Sequence, residues 1–325
     1  MANLTKGGTI MQEKETAKAK PKVKKRKYRY GHWAMTAMLS PAVIFVFIFS
    51  YLPMIGLIIA FQNYKYNLGM FKSPFVGFDN FKFLVFSDTF MELVRNTIGY
   101  NMAFIIFGMV AAVLVAVMMD MVHKKVLVKI YQSTMFLPFF LSWIVVSYIT
   151  HSLFQFDYGI INNLIRSFGG EGISFYSEGK YWPLILTVVS IWKSIGKNSL
   201  VYYGAILSIS PELYESASLD GCGGFAKFRY ITLPHLKSTM IILTIMAIGG
   251  IFRSDYGLFY YLPKDSGALL DWVDVLDTYI LRSIRSTGNI GVSSAAGFLQ
   301  SIVGFVLVVA TNYVVKRIDE DSSLF

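Results

Sequence analysis

Six stretches of this chain are long and apolar enough to cross a lipid bilayer. They run over 33–61, 96–119, 131–154, 181–207, 238–260 and 291–315. A helix needs roughly 20 mostly apolar residues to span the hydrocarbon core. The second and sixth stretches hold no Asp, Glu, Lys or Arg, whereas the fourth holds Lys193 and Lys197 and the fifth Arg253 and Asp255. Transmembrane strands are excluded, because the runs are too long and no alternation of about ten residues repeats. Backbone inside a bilayer must satisfy its own hydrogen bonds, so the sequence predicts an all-α integral membrane protein.

Composition excludes other classes. Hydrophobic residues make up 54% and charged residues 15% of 325, with mean hydropathy +0.51. A soluble domain carries about 25% charged residues. Cys222 is the one cysteine, so there is neither an intrachain disulfide nor a thiolate metal cluster. The four histidines fall at no metal-ligand spacing. No paired carboxylates or nucleophile elbow appear, which argues against a membrane enzyme. No G-x-x-x-x-G-K-[ST] loop is present to cradle ATP phosphates. The reading is a non-catalytic chain that binds no cofactor or metal itself.

Basic residues set the orientation. With the N-terminus inside, the inner segments hold ten Lys and Arg in 1–33, three in 121–130, three in 208–237 and two in 316–325, eighteen in all. The outer segments hold three in 62–94, two in 155–180 and three in 261–290, eight in all. This predicts six spans with both termini cytoplasmic. Residues 1–30 read as a disordered basic tail drawn to anionic headgroups, and 31–325 as the transmembrane domain. Met11 is a second candidate start. The first span is too long for a signal h-region and lacks an A-x-A site, so it is read as a retained helix kinked near Pro41 and Pro53.

The hydrophilic segment between the fourth and fifth spans has a readable local chemistry. Ser210 can cap a helix with Pro211 in its first turn and Glu212 at its positive end. That helix reaches Leu219 or Asp220. Gly221, Gly223 and Gly224 allow a sharp turn. A second short helix is predicted from Phe225 to Ile231, ending before Pro234 because proline disfavours helix at Leu233. Three readings compete. The segment is a plain link, a DNA-binding helix–turn–helix, or a docking knob with Tyr214, Leu219 and Phe225 as apolar anchors. Only Lys227 and Arg229 could meet phosphates, too few for a nucleic-acid reader. The residues alone leave the link and the knob open.

The run Glu215-x-Ala217-x-x-Asp220-Gly221 followed by Ile231-x-Leu233-Pro234 resembles the EAA loop of binding-protein-dependent ABC importer permeases. The chain departs from that pattern at Ser216, Cys222 and Ser238, the first two small substitutions that the turn accommodates. Outside the loop, Pro41 to Phe61, Phe75 to Phe81 and Gly159 to Leu164 resemble the maltose-permease-like branch. The stretches from Asp274 to Tyr279, from Ile290 to Gly297 and from Asp319 to Phe325 resemble its subgroup importing oligosaccharides from complex polysaccharides.

This resemblance implies a type I ABC importer permease fold in the bacterial cytoplasmic membrane. It implies pairing with a second homologous permease, two ATPase subunits that bind ATP and Mg, and an extracytoplasmic sugar-binding protein, either free or a lipoprotein. The 211–234 loop would dock in the ATPase and transmit its closure to the fourth and fifth spans. Tyr214, Glu215, Ala217, Leu219, Asp220, Gly221, Phe225, Leu233 and Pro234 would carry that coupling. The outer loops would receive the binding protein. Alternatives are a secondary transporter, for which coupling-ion sites and a repeat are missing, and an importer of a non-sugar solute.

Charged groups inside spans default to cavity-facing positions, and a sugar path wants aromatic platforms beside polar groups. Trp192, Lys193, Asn198, Tyr202, Phe252, Arg253, Asp255 and Tyr256 are the candidates for the substrate path. Packing between helices is the competing role of the aromatics, and Lys197 can snorkel to an interface.

Overall fold

The computed structural model describes residues 31–318, except Asp88. The basic tail over 1–30 and the residues after Ile318 lie outside the described residues. Among the described residues there is no β-strand, and one isolated bridge pairs Gln62 with Phe75. The chain divides into two units, one ending at Ile55 and one beginning at Gly56.

In the first unit, α1 (Gly31–Val46) carries Pro41 in its interior without ending there. A π-helical turn, Phe47–Tyr51, then passes into a 3-10 stretch, Leu52–Phe61. Of the two prolines expected to kink this span, Pro53 accompanies the change of geometry. It has no N–H to donate, and its ring crowds the carbonyl four residues back, which a wider turn relieves.

The second unit takes in the end of that 3-10 stretch from Gly56, then the short helices α2 (Gly69–Lys72) and α3 (Asp79–Val85). The long α4 (Phe90–Asp120) follows, then α5 (Lys125–Phe140), α6 (Trp143–Phe154), α7 (Ile160–Ser167) and α8 (Trp182–Leu207). After α9 (Pro211–Leu219) and α10 (Gly224–Lys227), a π turn at Phe228–Thr232 leads into α11 (Leu233–Gly249). The chain closes with α12 (Tyr256–Tyr261), α13 (Leu270–Val273), α14 (Leu276–Thr287) and α15 (Ile290–Ile318).

Among the described residues, five helical segments are long and apolar enough to cross a membrane, and the pair α5 and α6, bent by 97°, makes a sixth when taken as one broken span. The six stretches read from sequence are therefore all present, but the third and fifth are not single rods. The third turns sharply at Leu141 and Ser142, and the fifth unwinds between Gly250 and Asp255. The second surface helix expected to stop before Pro234 instead runs on into α11. The π turn before Pro234 opens the ladder where the proline cannot donate, so the ring is absorbed rather than ending the helix.

The second unit is built around α4 and α8. Ala112 and Ala116 are buried one turn apart on α4, whereas at Gly108, a turn earlier, a Cβ would meet nothing within 4 Å. Small residues at this spacing let helix backbones approach closely where lipid gives no hydrophobic drive. Ala112 and Ala116 share a cluster with Tyr202 and Ile206 of α8 and Leu236 of α11. A second cluster gathers Tyr100, Trp182, Leu186, Leu258 and Phe259 towards the other end. On the far flank of α8, Gly196 meets α5 so closely that a Cβ there would stand 2.0 Å from the Met135 carbonyl oxygen.

Candidate coupling surface and translocation path

α9 stands at one end of the second unit. Pro211 lies in its first turn and Glu212 at its positive end, as the sequence predicts. The Ser210 side chain makes no capping bond, which corrects that expectation; the Ser210 carbonyl accepts from Leu213 N instead. The C-terminus closes in a Schellman arrangement. Cys222 N donates to Ala217 O at 2.9 Å and Gly221 N to Ser218 O at 3.1 Å, with Gly221 at φ +76°. Only a residue at ease in left-handed backbone fits there.

Two of the three apolar anchors face outward. Leu219 is 90% exposed and Phe225 80% exposed. Tyr214 is turned inward, and its hydroxyl lies 2.9 Å from that of Thr232, joining α9 to the π turn. Lys227 Nζ donates to Ser218 Oγ at 2.6 Å, a second tie across the turn. Glu215 and Asp220 are exposed and make no ion pair among the described residues. Ala217 and Leu233 are half-buried and Pro234 is exposed.

The eight candidate path residues separate into distinct places. Asn198 and Tyr202 line a cavity of about 390 Å³ together with Asn101, Phe104 and Met109 of α4 and Thr244 of α11. Trp192 lies off that face of α8 and is exposed. Lys193 is bound to the bend of the third span, where its ammonium donates to Pro138 O (3.3 Å), Phe139 O (2.9 Å) and Leu141 O (2.6 Å). These are carbonyls left over where α5 ends, and a cation at that negative end is favoured.

Phe252, Arg253 and Asp255 form the break in the fifth span. Irregular backbone at membrane depth is tolerated where protein satisfies it, and the break has a partner from each neighbouring element. Asn101 Nδ2 donates to Ile251 O at 2.9 Å and to Arg253 O at 3.2 Å. Gln300 Nε2 of α15 donates to Phe252 O at 2.7 Å. Asp277 Oδ2 of α14 accepts from Ser254 N at 2.6 Å and from Gln300 Nε2 at 3.3 Å. Arg253 reaches Ser301 at 3.4 Å. Asp255 caps α12 through Gly257 N at 2.9 Å and accepts from Trp143 Nε1 at 2.7 Å. Tyr256 lies beyond the break, against Tyr260.

Burial pushes the Asp277 carboxyl above its ordinary range, against the bonds from Ser254 and Gln300 and the charge of Arg253. Burial pulls Arg282 down, but the carboxylates of Asp274 and Asp265 outweigh it and hold the guanidinium above its usual value.

The sequence reading missed Asn101, Gln300 and Asp277. A signal was available for the first two, since each is an amide inside an uncharged span, a mark that Asn96 and Asn312 share. Asp277 sits in a segment between spans and carries no such mark.

A sequence model of the family described as "Binding-protein-dependent transport system inner membrane component" matches residues 104–320. The chain belongs to this family. The permease is 34% identical to Protein LplB of Bacillus subtilis (strain 168), over 87% of this chain and 89% of that one. It is 31% identical to the polygalacturonan/rhamnogalacturonan transport system permease protein YteP of the same organism, over 87% and 88%. Among solved structures it resembles a chain of a bacterial alginate ABC transporter in complex with alginate pentasaccharide-bound periplasmic protein. The TM-score is 0.80 at 31% identity, covering 89% of this chain and 96% of that one. The permease is thus a non-catalytic inner-membrane subunit of a binding-protein-dependent ABC importer, in which a separate ATPase hydrolyses ATP. Family membership decides against the secondary-transporter reading.

Proposed function

We propose that this permease is one half of the pore of an importer for oligosaccharides. An extracytoplasmic binding protein delivers the sugar, a second homologous permease supplies the other half of the pore, and two ATPase subunits bind ATP and Mg. Both termini and α9 lie on the cytoplasmic side, in keeping with the eighteen basic residues of the inner segments against eight outside. The 390 Å³ cavity faced by Asn198, Tyr202 and Asn101 is this subunit's wall of the path. The sugar assignment draws on relatives whose names specify polygalacturonan/rhamnogalacturonan and the acidic polysaccharide alginate.

The observation that carries the reading is the α9 turn. Leu219 of α9 and Phe225 of α10 are bare on either side of the Gly221 turn; Lys227 ties α10 to α9, and Tyr214 ties α9 to the π turn that leads into α11. A load on the exposed anchors is passed directly to α11, which walls the cavity. Docking in an ATPase cleft would bury the anchors and rock the fifth span as the ATPase closes.

The test is affinity purification of the permease from its native membrane in mild detergent, with co-purifying chains identified by mass. A second six-span permease and an ATPase should come down together. Replacing Leu219 and Phe225 by Ser should release the ATPase and leave the second permease bound. Recovery of the permease alone in several detergents refutes the assigned energy source.

A further inference from the structure

Beyond the break, on the side away from α9, the chain builds a second and smaller cavity of about 220 Å³. Its walls are Tyr256 and Tyr260 of α12, Asp265 of the following turn, and Thr278, Arg282 and Arg285 of α14. The two tyrosine rings stack with centroids 4.8 Å apart and planes 22° apart. Arg285 lies over Tyr260, its Cζ 5.6 Å from the ring centre, and its Nη1 donates to the Tyr260 hydroxyl at 3.3 Å.

The two guanidinium groups are in opposite situations. Arg282 is held between Asp265 at 2.9 Å and Asp274 at 2.7 Å, so its fork is filled. Arg285 is exposed and has no carboxylate partner among the described residues. Of the span cations, Lys193 is taken up by the α5 carbonyls and Lys197 lies over the Phe139 ring, while Arg253, which reaches Ser301, does not line this cavity. An aromatic surface takes the C–H face of a pyranose, and a guanidinium takes a carboxylate in a two-pronged bond. A cavity well below the roughly 300–1,000 Å³ of an ordinary ligand site suits one unit of a longer chain.

We propose that this cavity is an entry subsite for an acidic sugar unit, with the ring against Tyr256 and the uronate carboxylate on Arg285, which Tyr260 holds in place. The assignment rests on the oligosaccharide reading above and narrows it to chains containing uronic acid. Tyr256 follows the break directly, so a unit held there lies next on the way to the inner cavity. Arg285 is then a specificity residue, needed for charged units and dispensable for neutral ones.

The test uses the complete importer in proteoliposomes, with its binding protein and ATPase, and two probes: trigalacturonate and its carboxyl-reduced neutral counterpart. The wild type should take up trigalacturonate. Arg285→Gln should lower that uptake about tenfold, the effect of losing one charge-assisted bidentate contact. Arg285→Lys should keep an intermediate rate, and any uptake of the neutral probe should be the same in all three. Equal loss on both probes overturns the proposal and makes Arg285 a contact for the binding protein. Uptake of the neutral probe alone by the wild type overturns the subsite and leaves the oligosaccharide reading standing. Uptake of neither probe, nor of a panel of neutral oligosaccharides, overturns both.

Discussion

The ammonium of Lys193 stands 2.6 Å from the carbonyl oxygen of Leu141, and the same group also bonds the carbonyls of Pro138 and Phe139. A lysine inside a span thereby closes the end of α5 at the point where the third span bends by 97°. Its ring contacts, 5.1 Å from Trp143 and 5.8 Å from Phe139, hold it over that corner. Lys193→Met should therefore act on stability first. Bonds to a charged group contribute about 1.5–3 kcal/mol each at best, so the variant should unfold at a clearly lower temperature in detergent. The concentration for half-maximal uptake should stay unchanged in the fraction that folds. A shift in that concentration without loss of stability would assign Lys193 to the substrate path instead.

Gly221 tests the coupling role proposed for the α9 turn. Its φ of +76° closes the Schellman arrangement, and nothing lies within 4 Å of where a Cβ would be. Steric room is thus available, and only the backbone resists substitution. Gly221→Ala should cost about 1–2 kcal/mol locally, and Gly221→Asn less, because Asn tolerates left-handed backbone. Gly221→Pro cannot adopt the conformation at all. The amount of ATPase retained on the purified permease should fall in the order Gly, Asn, Ala, Pro, while all four chains insert and keep the same helix content. Equal retention across the series would show that the turn is not part of the docking surface.

Gln300 tests the break. Its amide satisfies the Phe252 carbonyl at 2.7 Å and touches Asp277 at 3.3 Å, and it does not line the inner cavity. Gln300→Leu leaves a carbonyl bare at membrane depth, a penalty of about 1–3 kcal/mol. Gln300→Glu adds a carboxylate against Asp277 and should be worse. Thermal unfolding should rank wild type above Leu above Glu, and the maximal uptake rate should fall in the same order. An unchanged rate in Gln300→Leu would mean that the break needs no clamp from α15.

The sequence makes the uncharged second and sixth spans legible, because length and hydropathy decide them alone. It makes the α9 turn legible as well, since Pro211, Glu212 and Gly221 each act within a few residues of their place in the chain. The interruptions are another matter. Gly249 and Gly250 mark the fifth span as weak, yet the unwinding is held by Asn101, Gln300 and Asp277, which are brought there only by packing. The bend at Leu141 has no glycine at all and is fixed by Lys193 from the next span. Hydropathy counts a lysine as a lipid-averse charge and cannot tell a helix cap from a pore residue. For the same reason the path candidates, read as one group, separate into the larger cavity, the bend that Lys193 caps, the break and the smaller cavity, with Trp192 exposed apart from them. Tyr214 reads from sequence as an anchor, and only the Thr232 contact reveals it as a tie.

Asp277 gives a prediction in which pH fixes the sign. Its carboxyl is raised above the ordinary range by burial, despite accepting from Ser254 N and Gln300. An acid with a raised pKa holds its proton more tightly in the folded chain than in the unfolded one. Its contribution to stability therefore increases as pH falls through the folded-state value, and levels off below the unfolded value of about 3.9. At neutral pH the buried charge is a net cost. Asp277→Asn removes that charge and keeps an oxygen to accept from Ser254 N. The variant should unfold at a higher temperature than the wild type at pH 8, and the difference should close towards pH 4. A gap that widens on acidification would mean that the carboxylate form is the one the break prefers, with the bonds from Ser254 and Gln300 outweighing the cost of burial.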